Sequence, residues 1–267
     1  FLKSTEMGGI LADDMGLGKT LQSITILEKR SLVIAPTSIL GYWISEINKF
    51  RPSITCDLYH GPNRQLDMSK DVIVTSYAIL RNDILKLKSI DWSVIILDEA
   101  DSMTFDAQFA LRRIIEKYSS STRFCLICNY DNKIIPAIKS RCAEFKFNPI
   151  NNINMKKQLE RIAIDEKLEF SNETLDIISN ISKGDLRKAI NLMQSASINS
   201  NSETRIIDGN LCYNVAGYPR PEEIIKITDI LLDSSKQLEV STKKIQKMVL
   251  ENGYSISIIL KEIIFLH

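Results

Sequence analysis

The sequence predicts an α/β domain with a mostly parallel, doubly wound sheet, followed by a part of the chain made only of helices. Two observations predict this class. Up to residue 149, short runs rich in valine, isoleucine and leucine alternate with amphipathic stretches, as strands buried on both faces of a parallel sheet alternate with their connecting helices. After residue 149 the strand-like runs stop, and amphipathic stretches follow one another.

The first part contains seven runs that we expect to form strands and four stretches that we expect to form helices. The predicted strands are GGILA, SLVIAP, ITCDLYH, DVIVTSY, WSVIILDEAD, TRFCLICN and AEFKF. The predicted helices are residues 20–29, 39–50, 77–87 and 106–118.

The second part is predicted to form helices at residues 152–167, 172–181 and 185–197, with no strand between them. The polar segment 197–205 is predicted to be a loop, and the GYPRP break at 217–221 favours a new helix start. Two or three more helices are expected to follow. Since the chain opens inside a motif and stops within a helical pattern, we expect it to be truncated at both ends.

The composition is that of a soluble globular protein, with 44% hydrophobic and 25% charged residues. No uninterrupted apolar run approaches the roughly 20 residues of a membrane helix, so we expect an intracellular protein without a membrane partner. The formal net charge is only +1, so any nucleic acid would be bound by local basic faces.

Two cysteines and two tryptophans are expected to be structural. Cys125 and Cys128 form a C-x-x-C pattern within a predicted strand, where positions three apart face opposite sides, so we expect buried apolar side chains rather than metal ligands. Trp43 and Trp92 lie in apolar contexts and are expected in the core.

The segment ILADDMGLGKT has the composition of a phosphate-binding turn between a strand and a helix. Backbone N–H groups of such a turn, here containing Gly16 and Gly18, surround phosphate oxygens. Lys19 would reach the β- and γ-phosphates of ATP, and Thr20 would offer its hydroxyl to Mg²⁺. The strict pattern has glycine where this chain has Asp13.

A second motif, VIILDEAD, ends a predicted buried strand with carboxylates. Ligands bind at the carboxyl edge of open α/β sheets. Asp98 is expected to hold Mg²⁺, and Glu99 to orient or deprotonate the attacking water. The two motifs together predict a P-loop ATPase.

Residues 7–97 resemble the first motor lobe of the Snf/Swi family of DNA-dependent ATPases, in helicase superfamily two. The similar segments are GGILADDMGLGKTLQSI, LVIAPTSILGYWISEINKF, DVIVTSYAILRND and WSVIILDEA. The resemblance implies that the segments at Pro36, Thr37, Thr75, Ser76 and Tyr77 face the DNA backbone. A translocase also needs a second lobe, and no segment after residue 101 resembles one.

Residues 94–267 resemble a small subunit of replication factor C, the AAA+ sliding-clamp loader, over ILDEADSMTFDAQFALRRIIEKYSSSTRFCLICNYDNKIIPAIKSRCAEFKFNPI and KGDLRKAINLMQSA. The resemblance implies three roles. Asn129 would be a sensor beside the phosphates. Arg141 would be the arginine finger that reaches the ATP of the adjacent subunit, and Arg187 would be the lid arginine that senses nucleotide in cis.

The clamp-loader resemblance also implies the domains and the partners. We expect a P-loop ATPase domain at 1–149, Snf/Swi-like to residue 97 and clamp-loader-like from 98, then a helical AAA+ lid at 150–216 and a truncated helical collar at 217–267. Expected partners are other clamp-loader subunits and primer-template or duplex DNA, which Arg112 and Arg113 would contact. The segment through which that family contacts the clamp is replaced here, which weakens the expectation of clamp binding.

Both parent families are P-loop folds in which the strand after the acidic strand inserts between the lysine strand and the acidic strand. We expect the same order here, with TRFCLICN in that place. About 78 residues separate Lys19 from Asp98, more than in clamp-loader subunits, which predicts an extra strand-helix unit.

The leading functional hypothesis is an ATP-binding subunit of a sliding-clamp loader with DNA-stimulated ATPase activity, located in the nucleus or, for a viral or archaeal protein, at a cytoplasmic replication site. One alternative is a fragment of a Snf/Swi-type DNA-dependent ATPase. Another is an assembly subunit that does not hydrolyse ATP. The two resemblances meet in one chain. Their join has two explanations: a natural fusion, or recombination or mis-assembly of two reading frames.

Overall fold

The computed structural model describes residues 7–12, 16–146, 148–199, 206–232 and 238–266. The chain divides into two compact units, Phe1–Asn148 and Pro149–His267. Most of the predicted loop 197–205 and the Asp13 position lie outside the described residues.

The first unit alternates strands and helices, and the apolar runs of the sequence determine where the strands lie. Its elements are β1 Gly8–Leu11, α1 Lys19–Ile24, β2 Ser31–Ala35, α2 Leu40–Phe50, β3 Cys56–Leu58, β4 Val72–Ser76, α3 Tyr77–Asn82, α4 Ile84–Leu87, β5 Val94–Leu97, α5 Phe105–Tyr118, β6 Arg123–Ile127, α6 Pro136–Lys139 and β7 Cys142–Phe145.

These seven strands form one sheet in the order β3-β4-β2-β5-β6-β1-β7, and every neighbouring pair is parallel. The predicted α/β class, the seven strands and the insertion of β6 between β1 and β5 are confirmed. Because parallel strands end at the same edge, the segments that follow β1, β5 and β6 are neighbours in space.

Apolar side chains are buried on both faces of this sheet. Cys128 and Trp92 belong to the cluster under α3, α4, α5 and α6, whereas Cys125 and Trp43 belong to the cluster under α1 and α2. The two cysteines therefore face opposite sides and are buried, as predicted. The described residues contain no group of three or more histidine, cysteine or acidic side chains able to hold a metal ion.

The first helix ends earlier than predicted, at Ile24 rather than near residue 29. The following turn is held by Arg51, whose Nη1 donates to the carbonyls of Ile24, Thr25 and Leu27 at 3.2, 3.0 and 2.8 Å. A guanidinium at the last carbonyls of a helix stabilises its end. This contact is long-range in sequence and has no local signal.

The predicted helix 77–87 is interrupted at Asp83, which separates α3 from α4. The Asp83 carboxylate accepts hydrogen bonds from the Tyr59 hydroxyl at 2.6 Å and from Arg64 Nε and Nη2 at 2.7 and 2.9 Å. The neighbouring Arg64 guanidinium and the Tyr59 hydroxyl lower the pKa of Asp83 to about 2. These side-chain contacts hold Asp83 in a non-helical conformation between α3 and α4.

Asp83→Asn is expected to lower the free energy of unfolding at neutral pH, because it removes the carboxylate that pairs with Arg64. Since the pKa of Asp83 is lower in the folded chain than its ordinary 3.8, its stabilising contribution is present above that value and is lost as pH falls towards 2. The measurement is urea unfolding at several pH values. The difference in the free energy of unfolding between Asp83→Asn and the wild type should become smaller as the pH falls. Asp91→Asn, at an exposed carboxylate, is the control and should show no such trend.

The second unit is mostly helical and has its own core, which includes Met155, Leu159 and Ile178. Its elements are α7 Asn152–Asp165, β8 Glu169–Phe170, α8 Asn172–Ser182, α9 Leu186–Ile198, β9 Ile206–Ile207, α10 Gly209–Ala216, α11 Pro221–Leu232, α12 Leu238–Asn252 and α13 Ile256–Leu266. The predicted helix start after the GYPRP break is confirmed, with the Arg220 N–H donating to Glu223 Oε2 at 2.9 Å.

One prediction for this unit is wrong. A strand, β8, lies between α7 and α8 and pairs in parallel with β9. Two-residue strands are too short to show a periodicity, and the pairing joins segments more than 30 positions apart. Among the described residues, no helix is long and apolar enough to cross a membrane.

Candidate nucleotide-binding site

The turn between β1 and α1 depends on two glycines with left-handed backbone angles. Gly16 has φ 83° and Gly18 has φ 74°, and Gly18 directly precedes α1. A Cβ atom on Gly18 would meet no atom within 4 Å, so the requirement for glycine comes from the backbone angle and not from crowding. The turn sets Lys19 and Thr20 as the first residues of α1.

Lys19 contacts the residue that follows β6. Its Nζ donates to Asn129 Oδ1 at 2.8 Å, although 110 positions separate the two residues. The contact forms because β6 pairs directly with β1. The structure therefore joins the phosphate-binding motif to the predicted sensor at one edge of the sheet.

Asp98 follows β5 and is almost completely buried. Its Oδ2 accepts a hydrogen bond from Trp43 Nε1 at 2.8 Å, and its Oδ1 accepts one from the Glu99 N–H at 3.0 Å. The Tyr77 hydroxyl donates to the Asp98 carbonyl at 2.8 Å. Side chains from α2 and α3 thus hold this residue in one position.

Glu99 is exposed and has a left-handed backbone with φ 54°. Such a conformation is strained for a residue with a side chain and is frequent at functional sites. It turns the chain directly after Asp98, so that the two successive carboxylates meet different surroundings. Asp101 follows, and its Oδ2 accepts a hydrogen bond from the Tyr130 N–H at 3.2 Å.

Two acidic side chains of this edge, those of Asp98 and Glu99, have raised pKa values. Burial raises the pKa of Asp98, although the Trp43 and Glu99 N–H groups and the nearby Lys19 act in the opposite direction. Burial, Asp98 and Asp101 raise the pKa of Glu99. A site that disfavours its own negative charges would gain from a bound cation.

The available oxygen atoms fit Mg²⁺. This ion prefers oxygen ligands and is usually held by one or two carboxylates together with substrate phosphates, rather than by a cage of protein ligands. Asp98 offers a carboxylate, Thr20 a hydroxyl in the first turn of α1, and Lys19 lies close enough to affect the pKa of Asp98. The residues can therefore hold a metal only in combination with a ligand that brings its own oxygens.

Arg141, the predicted trans finger, makes its contacts with α5 and α6. It forms an ion pair with Glu116, and its Nη1 donates to the Ala137 carbonyl at 2.7 Å and to Ser140 Oγ at 3.0 Å. About a third of the side chain (33%) is exposed. Arg112 Nε also donates to Glu116 at 3.0 Å, so one carboxylate holds both arginines.

Two further predicted site residues are exposed arginines. Arg113 is exposed on α5, and Arg187 is exposed in the first turn of α9 in the second unit. Their predicted roles stay predictions.

Thr75 and Ser76, which the resemblance implied as DNA contacts, have structural roles here. The Thr75 hydroxyl donates to the Tyr59 carbonyl at 2.8 Å, and Ser76 Oγ accepts the Ile79 N–H as the cap of α3. Both side chains are almost fully buried. A DNA contact by either hydroxyl finds no support in this arrangement.

Sequence reasoning assigned Trp43 to the core and missed its contact with Asp98. The residue is indeed fully buried, so the core prediction is confirmed. No local pattern signals the hydrogen bond, which joins residues 55 positions apart. Only the pairing of β2 with β5, which brings α2 over the end of β5, could have indicated it.

Two family models match different segments of the chain. The SNF2-related domain matches residues 2–128, and the RCF1/5-like, AAA+ ATPase lid domain matches residues 157–198. The chain combines segments similar to two families. The first match runs past residue 97, so α5 and β6 are also compatible with the SNF2-related model.

Curated relatives support the clamp-loader resemblance. The chain is 36% identical to replication factor C subunit 5 of Homo sapiens over 216 residues, covering 80% of this chain and 60% of that protein. It is 41% identical to replication factor C subunit 3 of Oryza sativa subsp. japonica over 170 residues, covering 64% and 45%. It is 42% identical to a replication factor C small subunit of Methanococcus vannielii over 165 residues, covering 61% and 50%. The chain therefore spans about half of the length of these relatives.

Among solved structures, the RuvB Holliday junction branch migration motor of Thermotoga maritima aligns with 91% of this chain and 85% of that chain. The identity is 12% and the TM-score is 0.44.

Proposed function

We propose that this chain binds ATP with Mg²⁺ and acts as a subunit of a DNA sliding-clamp loader of the replication factor C type. In this role it couples ATP binding and hydrolysis to clamp loading in replication. The observation that carries the proposal is the contact of Lys19 with Asn129, beside Asp98, at one edge of the sheet. It occurs in a chain similar to replication factor C subunits over most of its length.

Each residue of the site has a proposed task. The turn with Gly16 and Gly18 surrounds the phosphates with N–H groups, and Lys19 neutralises part of their charge. Asp98 and Thr20 hold Mg²⁺, which supplies charge stabilisation for phosphoryl transfer when bound.

Two more residues act at the γ-phosphate end of the site. Asn129 positions the Lys19 ammonium through their hydrogen bond. Glu99, exposed and next to Asp98 in the chain, orients the attacking water and accepts its proton.

The proposed partners are other clamp-loader subunits and primer-template DNA, with Arg112 and Arg113 as contacts to phosphates. Arg141 is proposed to complete the ATP site of an adjacent subunit. Its side chain is partly exposed and pairs with Glu116 on α5, which fits a finger that reaches out of its own subunit. The chain would act in the cell compartment where DNA is replicated.

Co-expression with replication factor C subunits tests this assignment. We expect the chain to co-purify with them and to give a complex whose ATPase is stimulated by primer-template DNA. Arg141→Ala should lower that ATPase several-fold while leaving the ATP affinity of this chain unchanged, because a guanidinium stabilises charge that develops in the transition state.

Glu116→Gln is the matched control, since it removes the ion pairs of Glu116 with Arg141 and Arg112 but keeps both arginines. It should retain most of the activity. Equal losses in the two variants would mean that Arg141 acts only through its ion pair, and failure to co-purify would contradict the subunit assignment.

A second candidate is a DNA-dependent ATPase of the Snf/Swi kind, favoured by the match of residues 2–128 to the SNF2-related domain. ATPase activity of the isolated chain that rises with duplex DNA would support this candidate over the first. ATP binding without turnover, alone and in the complex, would instead support a non-hydrolysing assembly subunit.

A further inference from the structure

The hydrogen bond from the Trp43 indole to Asp98 is a feature of the site that the sequence did not predict. Trp43 lies in α2, its ring is fully buried, and its Nε1 donates to Asp98 Oδ2 at 2.8 Å. The ring packs in the apolar cluster formed by α1, α2 and one face of the sheet, with Ile47 and Ile96 among its members. Close packing leaves the ring one orientation, so the direction of its N–H group is fixed.

Each oxygen of the Asp98 carboxylate accepts a hydrogen bond from within the first unit. One oxygen accepts the Trp43 N–H, and the other accepts the Glu99 N–H. A buried carboxylate that loses a donor keeps its desolvation cost and can rotate or draw in water. The two donors together leave a defined set of lone pairs free for a cation.

We propose that Trp43 is a positioning residue, whose indole N–H holds the Asp98 carboxylate in the orientation that receives Mg²⁺ together with ATP. The inference rests on the proposed function, in which Asp98 is the protein carboxylate on the metal. Trp43 itself touches neither metal nor nucleotide, and acts as outer partners of metal ligands do when they orient a ligand.

The chain contains a matched control. Trp92, the second of its two tryptophans, is also buried in the first unit, and its Nε1 donates at 2.8 Å to a backbone carbonyl, that of Leu87. Trp43→Phe and Trp92→Phe therefore each remove one buried indole N–H and a similar volume. Only the first removes a donor to Asp98.

The experiment titrates Mg²⁺ into each variant in the presence of a fluorescent ATP analogue and measures the half-saturating Mg²⁺ concentration for nucleotide binding. Trp43→Phe should raise that concentration roughly 10-fold or more, in line with the effect of removing an outer partner of a metal ligand. Nucleotide affinity measured in EDTA should be unchanged. Trp92→Phe should change neither quantity.

Equal behaviour of the two variants would overturn the positioning role alone. Absence of Mg²⁺-dependent nucleotide binding in the wild type would overturn the proposed function itself, so the two failures are distinguishable. In the Trp92→Phe variant Trp43 is the sole tryptophan, and its emission should change when Mg²⁺ and ATP are added. If Trp43→Phe does not fold, the Trp92→Phe variant still tests the proposal. An emission of Trp92→Phe that does not change when Mg²⁺ and ATP are added contradicts it.

Discussion

Lys19→Ala is expected to lower the affinity of the chain for ATP on the order of 100-fold, because a hydrogen bond to a charged group contributes roughly 1.5–3 kcal/mol and each 1.4 kcal/mol is a factor of ten. The ammonium lies at the start of α1 and is directed to Asn129, at the end of the neighbouring strand. Removing the ammonium leaves the phosphate charge to the backbone N–H groups of the turn and to Mg²⁺.

Isothermal titration calorimetry with ATP and Mg²⁺ measures this change. Lys29→Ala is the matched control, since Lys29 is exposed in the same β1–β2 connection and follows the end of α1. It should bind ATP as the wild type does. An intermediate loss is expected for Asn129→Ala, which removes the acceptor that orients the ammonium but keeps the charge. Unchanged affinity in Lys19→Ala would contradict the assignment of this edge as the ATP site.

The fold of the first unit was largely predictable because its strands are buried on both faces and hence appear as continuous apolar runs. All seven runs form strands, and the insertion of β6 followed from the shared order of the two families. The helix ends were less predictable. Arg51 holds the turn after α1, and Arg64 and Tyr59 engage the carboxylate at the break in the next predicted helix. Such contacts depend on the assembled sheet.

The candidate site was likewise predictable only in part. Lys19 and Asp98 were assigned from local motifs and Asn129 from the clamp-loader resemblance, and the structure brings all three to one edge because they flank central strands. Trp43 lies in the segment LVIAPTSILGYWISEINKF but was assigned only to the core, and its contact with Asp98 was missed. Thr75 was carried over from the resemblance of residues 7–97 to a translocase lobe, and its side chain is buried.

A large effect on stability is expected from Gly184→Ala in the second unit. Gly184 has φ +89°, between α8 and α9. An added Cβ would lie 2.5 Å from Pro149 Cβ and 3.2 Å from the Ile150 carbonyl oxygen. The Gly184 carbonyl also accepts the Ile150 N–H at 3.3 Å. An alanine would therefore be strained in its own backbone and would displace a backbone segment that is bonded to it.

The cost of this substitution combines two effects. A left-handed conformation costs a residue with a Cβ about 1–2 kcal/mol, and overpacking against groups that cannot retreat costs about 1–3 kcal/mol. The sum, roughly 2–5 kcal/mol, corresponds to a fall of ~10 °C or more in the unfolding midpoint for a unit of this size. Gly217→Ala separates the two effects, since Gly217 has φ +59° but nothing within 4 Å of an added Cβ.

Scanning calorimetry of the two variants separates the cost of the left-handed backbone angle from the cost of the steric overlap of the added Cβ. Gly217→Ala should lower the midpoint of the second unit by the backbone effect alone, and Gly184→Ala should lower it by clearly more. Equal shifts would show that Pro149 and Ile150 retreat without cost, and that the packing at this turn is loose. A larger shift in Gly184→Ala means that the turn is held rigidly. The turn then fixes Asp185, whose Oδ1 accepts the Lys188 N–H at 3.0 Å, as the cap of the helix that carries Arg187.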